Sequence, residues 1–154
     1  MKYIHVIILG VVILIATFFR FYNLQGVPPS ASLDEVSIGW NAYSILQTGK
    51  DEYGYTFPLL LRAYDDWRPA LYVYFVVPFI KLLGLNILAV RLPSFIFSAL
   101  TVIATYFLVK ELFKIKPLGL PKTFSGQNLA LASSFFLAIS PWHIYISRLG
   151  HEVN

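Results

Sequence analysis

Apolar positions in this chain come in long blocks separated by short charged ones. From Tyr3 to Phe19 there is no Lys, Arg, Asp or Glu, and the run is dense in Ile and Val. A block of that length reaches across most of a hydrocarbon core roughly 30 Å thick, so the pattern predicts a first transmembrane helix over 3–19. A cleaved signal peptide is the competing reading. It is opposed by the end of the run, Ala16-Thr17-Phe18-Phe19-Arg20, which lacks small residues at the spacing a signal peptidase needs. Leu92 to Val109 and Asn128 to Ser147 are two more uncharged blocks and predict spans over 92–109 and 128–147.

One amphipathic and one almost wholly apolar segment lie between the first two spans. Ser32-Leu33-Asp34-Glu35 has the S-x-x-E form of a capping box, and Val36, Trp40, Tyr43 and Leu46 then recur at helical spacing up to Gly49, which predicts a helix over 33–48. Lys50-Asp51-Glu52-Tyr53-Gly54 reads as a turn. The apolar stretch from Pro69 to Gly84 predicts a helix over 69–83, but Pro78 lies inside it and Lys81 ends its uncharged part early. At about 1.5 Å per residue it falls short of a comfortable crossing.

Charge placement decides the topology. Lys110, Lys114, Lys116 and Lys122 mark the 110–127 loop as cytoplasmic, and Lys2 marks the N-terminus likewise. Both lie inside only if an even number of crossings separates them, so the 69–83 helix stays on the outer face as a juxtamembrane or re-entrant helix, with Tyr72, Tyr74 and Phe75 at interfacial depth. A fourth true span is the alternative. The expected fold is an all-α integral membrane protein with three transmembrane helices and juxtamembrane helices in a long outer loop, 20–91. It is expected to be multi-pass in the plasma membrane, with that loop extracytoplasmic. Seven of the eight acidic residues, Asp34, Glu35, Asp51, Glu52, Asp65, Asp66 and Glu152, then lie outside, and chemistry is expected there.

Composition supports the membrane reading: 57% of residues are hydrophobic and only 13% charged, too apolar for a chain of 154 residues to cover itself with polar surface. Net charge is +4, but the basic residues are scattered and form no aromatic-interleaved groove, so nucleic acid is not an expected partner. With no cysteine, disulfides, thiol catalysis and Cys-ligated zinc are excluded.

The individual charges each have a plain structural account. Glu35 closes the capping box onto the Ser32 N–H, and Asp34 in the first helical turn is favoured by the helix dipole. Arg68, ahead of a helix, calls for a compensating anion, either Asp65 or Asp66 or a bound phosphate. Arg91 and Arg148 sit at the outer ends of the second and third spans, where snorkelling to lipid phosphates is the default and the phosphate of a lipid-linked donor would fit equally.

Taken in order, several short elements resemble the start of a GT-C superfamily glycosyltransferase, the group that includes protein O-mannosyltransferases and aminoarabinose transferases. They are Leu24 with Pro28; Asp34-Glu35 with Gly39, Ala42 and Leu46; Arg68-Pro69-Ala70-Leu71-Tyr72; Gly84 followed by Ala89-Val90-Arg91-Leu92-Pro93-Ser94; and Ser140-Pro141-Trp142 with Ser147-Arg148. No single element is specific; their order and spacing carry the resemblance. It implies inverting transfer of a sugar from a polyprenyl-phosphate carrier to a protein, lipid or glycan acceptor at the outer membrane face. Asp34 would be the catalytic base with Glu35 supporting it, Arg68 and Arg91 would hold the donor phosphate, and Arg148, His151 and Glu152 would stand at the active-site mouth. Relatives often carry Lys or His before Pro-Pro where this chain has Arg68-Pro69-Ala70. Some place a divalent metal near the mouth, but two adjacent residues, His151 and Glu152, do not make a metal site, and none is assigned.

Members of the superfamily have many more than three spans, which leads to the expectation that this chain is the N-terminal part of a longer enzyme and inactive alone. The alternative is a non-catalytic multispan membrane scaffold or transporter subunit. Ser94, Ser98, Thr101 and Thr105 on the second span form only a mild polar stripe, whose plain reading is packing against a neighbouring helix.

Overall fold

A computed structural model of the chain describes residues 2–64, 66–114 and 125–151. Asp65, Lys116, Lys122 and Glu152 lie outside the described residues. The chain divides into two compact units, one of Met1–Tyr22 with Phe97–Ile146, the other of Asn23–Ile96 with Ser147–Asn154.

The first unit is wholly helical among the described residues. It comprises α1 (Lys2–Phe21), the later part of α4 (Ile87–Leu112), α5 (Gly126–Ile139) and α6 (Pro141–Ile146). α1 and α4 are long and apolar enough to cross a membrane. Only 17% of the apolar stretch of α1 is buried, with Ile4, Val6, Ile7, Leu14 and Phe18 on its surface, so it is not the core helix of a globular domain. Small side chains bring the helices together: Val12 and Ala16 of α1 pack with Val102 and Ala138.

The expected 128–147 span is not one helix. It breaks at Ser140, whose backbone is extended (φ −59°, ψ 116°), as a residue before proline prefers. Pro141 has no N–H to give to Leu137, whose carbonyl takes the Ser140 N–H at 3.4 Å, and Arg20 of α1 supplies further donors at the break. Its guanidinium donates to Leu137 O (3.1 Å), Ala138 O (2.9 Å) and Ala16 O (3.0 Å) and lies 2.6 Å from His143 Nδ1. Arg20 thus caps a broken helix from a neighbouring one. Arg20→Met is expected to lower stability by about 1–3 kcal/mol for each carbonyl left without a donor, read as a lower melting temperature of the detergent-solubilised protein. An unshifted melt would show that water or lipid satisfies these carbonyls as well as Arg20 does.

The second unit contains α2 (Leu33–Thr48), a hairpin of β1 (Leu60–Ala63) and β2 (Asp66–Pro69), α3 (Leu71–Leu83) and the start of α4. α2 begins with the complete reciprocal capping box of Ser32 and Glu35 and ends at Gly49, whose φ of 71° suits glycine. Its buried face is Ile38, Asn41, Ala42 and Ile45, packed on Tyr72, Val73, Val76 and Ile80 of α3. The stripe expected from the sequence is therefore displaced: Val36 and Trp40 are exposed, while Tyr43 and Leu46 only flank the core. The antiparallel hairpin, with Leu61 opposite Arg68, is a departure from the all-α expectation.

α3 starts at Leu71, after Ala70. Tyr72 and Tyr74, expected at the interface, are tied into the unit: the Tyr72 hydroxyl donates to Val90 O (2.9 Å) and that of Tyr74 to Pro58 O (2.7 Å). α4 starts at Ile87, five residues before the expected span, because the Asn86 side chain accepts from the Ala89 N–H (2.9 Å) and caps it. That earlier start carries Arg91 into the body of the helix.

Candidate functional site

Residues 23–32, between α1 and α2, have neither helix nor strand to satisfy their backbone. Two arginines do it instead. Arg91 is 0% exposed and uses all five of its donors: Nε and Nη2 on Glu35 Oε1 (2.7 Å) and Oε2 (3.2 Å), Nη1 on Leu24 O and Pro28 O (both 3.0 Å), and Nη2 also on Ser30 O (3.1 Å). Arg148 donates to Val27 O and Asn23 O, both at 3.0 Å. Burial, and then the charge of Arg91, lower the pKa of Arg148.

Glu35 is the hub of this dock. Its carboxylate accepts from the Ser32 N–H (2.9 Å), from Arg91 and from the Gly150 N–H (2.9 Å), which brings the 147–151 segment onto α2. Burial alone would raise its pKa. Hydrogen bonds from Arg91, Gly150 and Ser32, with the charge of Arg91, outweigh burial and hold the carboxyl below its ordinary value. Gly150 has to be small here, because a Cβ would come within 2.7 Å of Val90 Cγ1 and 3.0 Å of Val90 O.

This geometry corrects the expectation for Arg91. A residue whose five N–H groups are all taken, and which no solvent reaches, has none to offer a donor phosphate and does not snorkel. Arg148 is likewise turned onto the 23–27 backbone. Glu35 supports the site by holding α2, α4 and the 147–151 segment together.

Asp34, one residue before Glu35, faces the other way. Its Oδ1 is in hydrogen-bond contact with Arg68 Nη1, and its Oδ2 lies 3.3 Å from His151 Nε2. The three side chains are 29%, 22% and 33% exposed, so the cluster is reachable from solvent. Among the described residues Asp34 is an anion paired with Arg68, while Asp65, one of the two partners expected, lies outside them. Asp66 is occupied with the Trp67 N–H (2.8 Å), and Arg68 projects from a strand. Neither strand nor ion pair was legible in the sequence. Among the described residues no group of three or more His, Asp or Glu could hold a metal ion.

α2, α3, the hairpin and the Glu35 dock define a unit that presents an accessible Asp, Arg and His cluster, in a chain with two helices apolar enough to cross a membrane. No protein-family model, curated protein or solved structure matches the chain.

Proposed function

We propose that the chain is a membrane-embedded glycosyltransferase module of the GT-C type, moving a sugar from a polyprenyl-phosphate-linked donor to an acceptor hydroxyl at the outer membrane face. The observation that carries this reading is Asp34, an accessible carboxylate with a guanidinium on one oxygen and an imidazole beside the other. In the reaction the acceptor oxygen attacks the anomeric carbon as the bond from that carbon to the phosphate oxygen breaks. The acceptor proton passes to Asp34, and the polyprenyl phosphate leaves with the electron pair. Protonation weakens the ion pair between Asp34 and Arg68, and the guanidinium is then turned to the departing phosphate. Arg91 takes no part in this scheme. On this reading α1, α4 and the broken α5/α6 segment are the membrane part, with both loops placed by the positive-inside argument.

A second reading has its own observation. The cavity beside Arg68, lined by Ser37, Asn41 and Tyr72 among others, is only about 10 Å³, too small for a sugar, as a non-catalytic scaffold would have it. Transfer from radiolabelled polyprenyl-phosphate sugars, measured with the product of the whole reading frame in proteoliposomes, separates the two. Product of inverted anomeric configuration supports the enzyme, whereas no transfer from any donor in the presence of protein, lipid and glycan acceptors leaves the scaffold.

A further inference from the structure

Beside α2, opposite its buried face, lies a cleft of about 140 Å³ lined by Val36, Ser37, Trp40, Glu52, Tyr53 and Tyr64. Three of the six are aromatic, from three separate segments, and each ring is about half exposed. Each of those segments is held. Asn41, buried on α2, clasps the turn that carries Tyr53: its Nδ2 donates to Glu52 Oε1 (2.9 Å) and its Oδ1 accepts from the Glu52 N–H (3.1 Å). The Asp51 carboxylate holds the same turn through the N–H groups of Tyr53 (3.0 Å) and Tyr55 (2.8 Å). Tyr64 is fixed by its hydroxyl, which donates to Leu33 O at 3.3 Å.

These three half-exposed rings do nothing for the core, which α2 completes with its other face. They present flat apolar surfaces around one carboxylate, whose Oε2 accepts no hydrogen bond among the described residues. A pyranose ring matches that combination, offering C–H faces to the aromatic rings and hydroxyls to the carboxylate. A lipid chain would leave Glu52 unanswered. No cation is among the lining residues, the Arg62 guanidinium being stacked over the Tyr53 ring at 5.4 Å, and the negative charge of Glu52 disfavours a phosphate. Ser37 lies three residues beyond Asp34, and residues at that spacing are neighbours on a helix, with roughly 5–6 Å between their Cβ atoms.

From this geometry we infer that the Trp40, Tyr53, Tyr64 and Glu52 cleft is a saccharide subsite that holds a glycan acceptor with one hydroxyl near Asp34. The inference rests on the glycosyltransferase reading and deepens it, because it selects glycan from the three possible acceptor classes and places the acceptor apart from the donor phosphate.

Binding is tested without turnover, by saturation-transfer NMR on the full chain in nanodiscs. The probes are methyl α-mannopyranoside, methyl β-glucopyranoside, maltose and cellobiose, with a serine-containing hexapeptide as the competing class. At least one saccharide should show transfer, abolished by Tyr53→Ala and weakened about tenfold in affinity by Glu52→Gln. Glu52→Gln retains an amide oxygen for Asn41, so its melting temperature should match the parent's. The subsite is overturned by transfer to no saccharide, by saccharide binding insensitive to both variants, or by peptide binding that Glu52→Gln removes. Saccharide binding in a protein that transfers sugar to nothing keeps the subsite and removes the enzyme. Sugar transfer to peptide without saccharide binding keeps the enzyme and removes the subsite.

Discussion

Arg91→Leu is expected to unfold most of the second unit under conditions where the parent is stable. The change leaves the Glu35 carboxylate buried without its counter-ion, and breaking a buried pair in this way costs about 3–5 kcal/mol. Three carbonyls of the 23–32 segment lose their donors at the same time. Limited proteolysis should then cut within 23–32, and the melting temperature should fall; a parent-like melt with that segment still protected would show that Arg91 is dispensable. Acid gives an independent check. The folded-state pKa of Glu35 is depressed, so the stability it contributes is present above its unfolded value, near 4.3, and is lost as pH falls through the lower folded value. Glu35→Gln should flatten that acid limb and be less stable at neutral pH. An acid limb unchanged by the substitution would place the titration elsewhere.

What the sequence disclosed and what it hid follow from the range of the interactions. The Ser32 and Glu35 capping box is local, and both its bonds are present, as is the Gly49 stop. The same Glu35 also binds Arg91 and the Gly150 N–H, partners far along the chain, and the local account of it was complete enough to conceal them. Arg91 looked like a residue at a span's mouth because the span was started at the first uncharged position, whereas Asn86 starts the helix earlier. The break at Ser140 could have been read, since a proline inside an apolar run removes a helical N–H; hydropathy alone does not register it. The helical spacing of Val36, Trp40, Tyr43 and Leu46 likewise found the helix but not its packed face, which is Ile38, Ala42 and Ile45. The pairing of Asp34 with Arg68 depends on a hairpin whose short strands show no long alternation, so only the fold discloses it.

Asp34→Asn is the substitution that separates chemistry from architecture most cleanly. Asparagine keeps the shape and an oxygen for Arg68, and an ion pair as exposed as this one contributes roughly 0–1 kcal/mol, so the melting temperature should barely move. If Asp34 is the base, transfer should fall about 10²–10⁴-fold, the range a positioned general base supplies. The kinetic signature is also specified. Asparagine turns the ion pair with Arg68 into a neutral hydrogen bond, so the anionic donor should bind as well as before or better while kcat collapses. Arg68→Gln should do the opposite to binding and raise KM for the donor. His151 lies against the other oxygen of Asp34, and on the proposed scheme, in which it orients the carboxylate, His151→Ala should give a smaller loss in kcat. Transfer within a few-fold of the parent in Asp34→Asn, with the fold intact, would remove Asp34 from the reaction and leave the cluster as an ordinary surface ion pair.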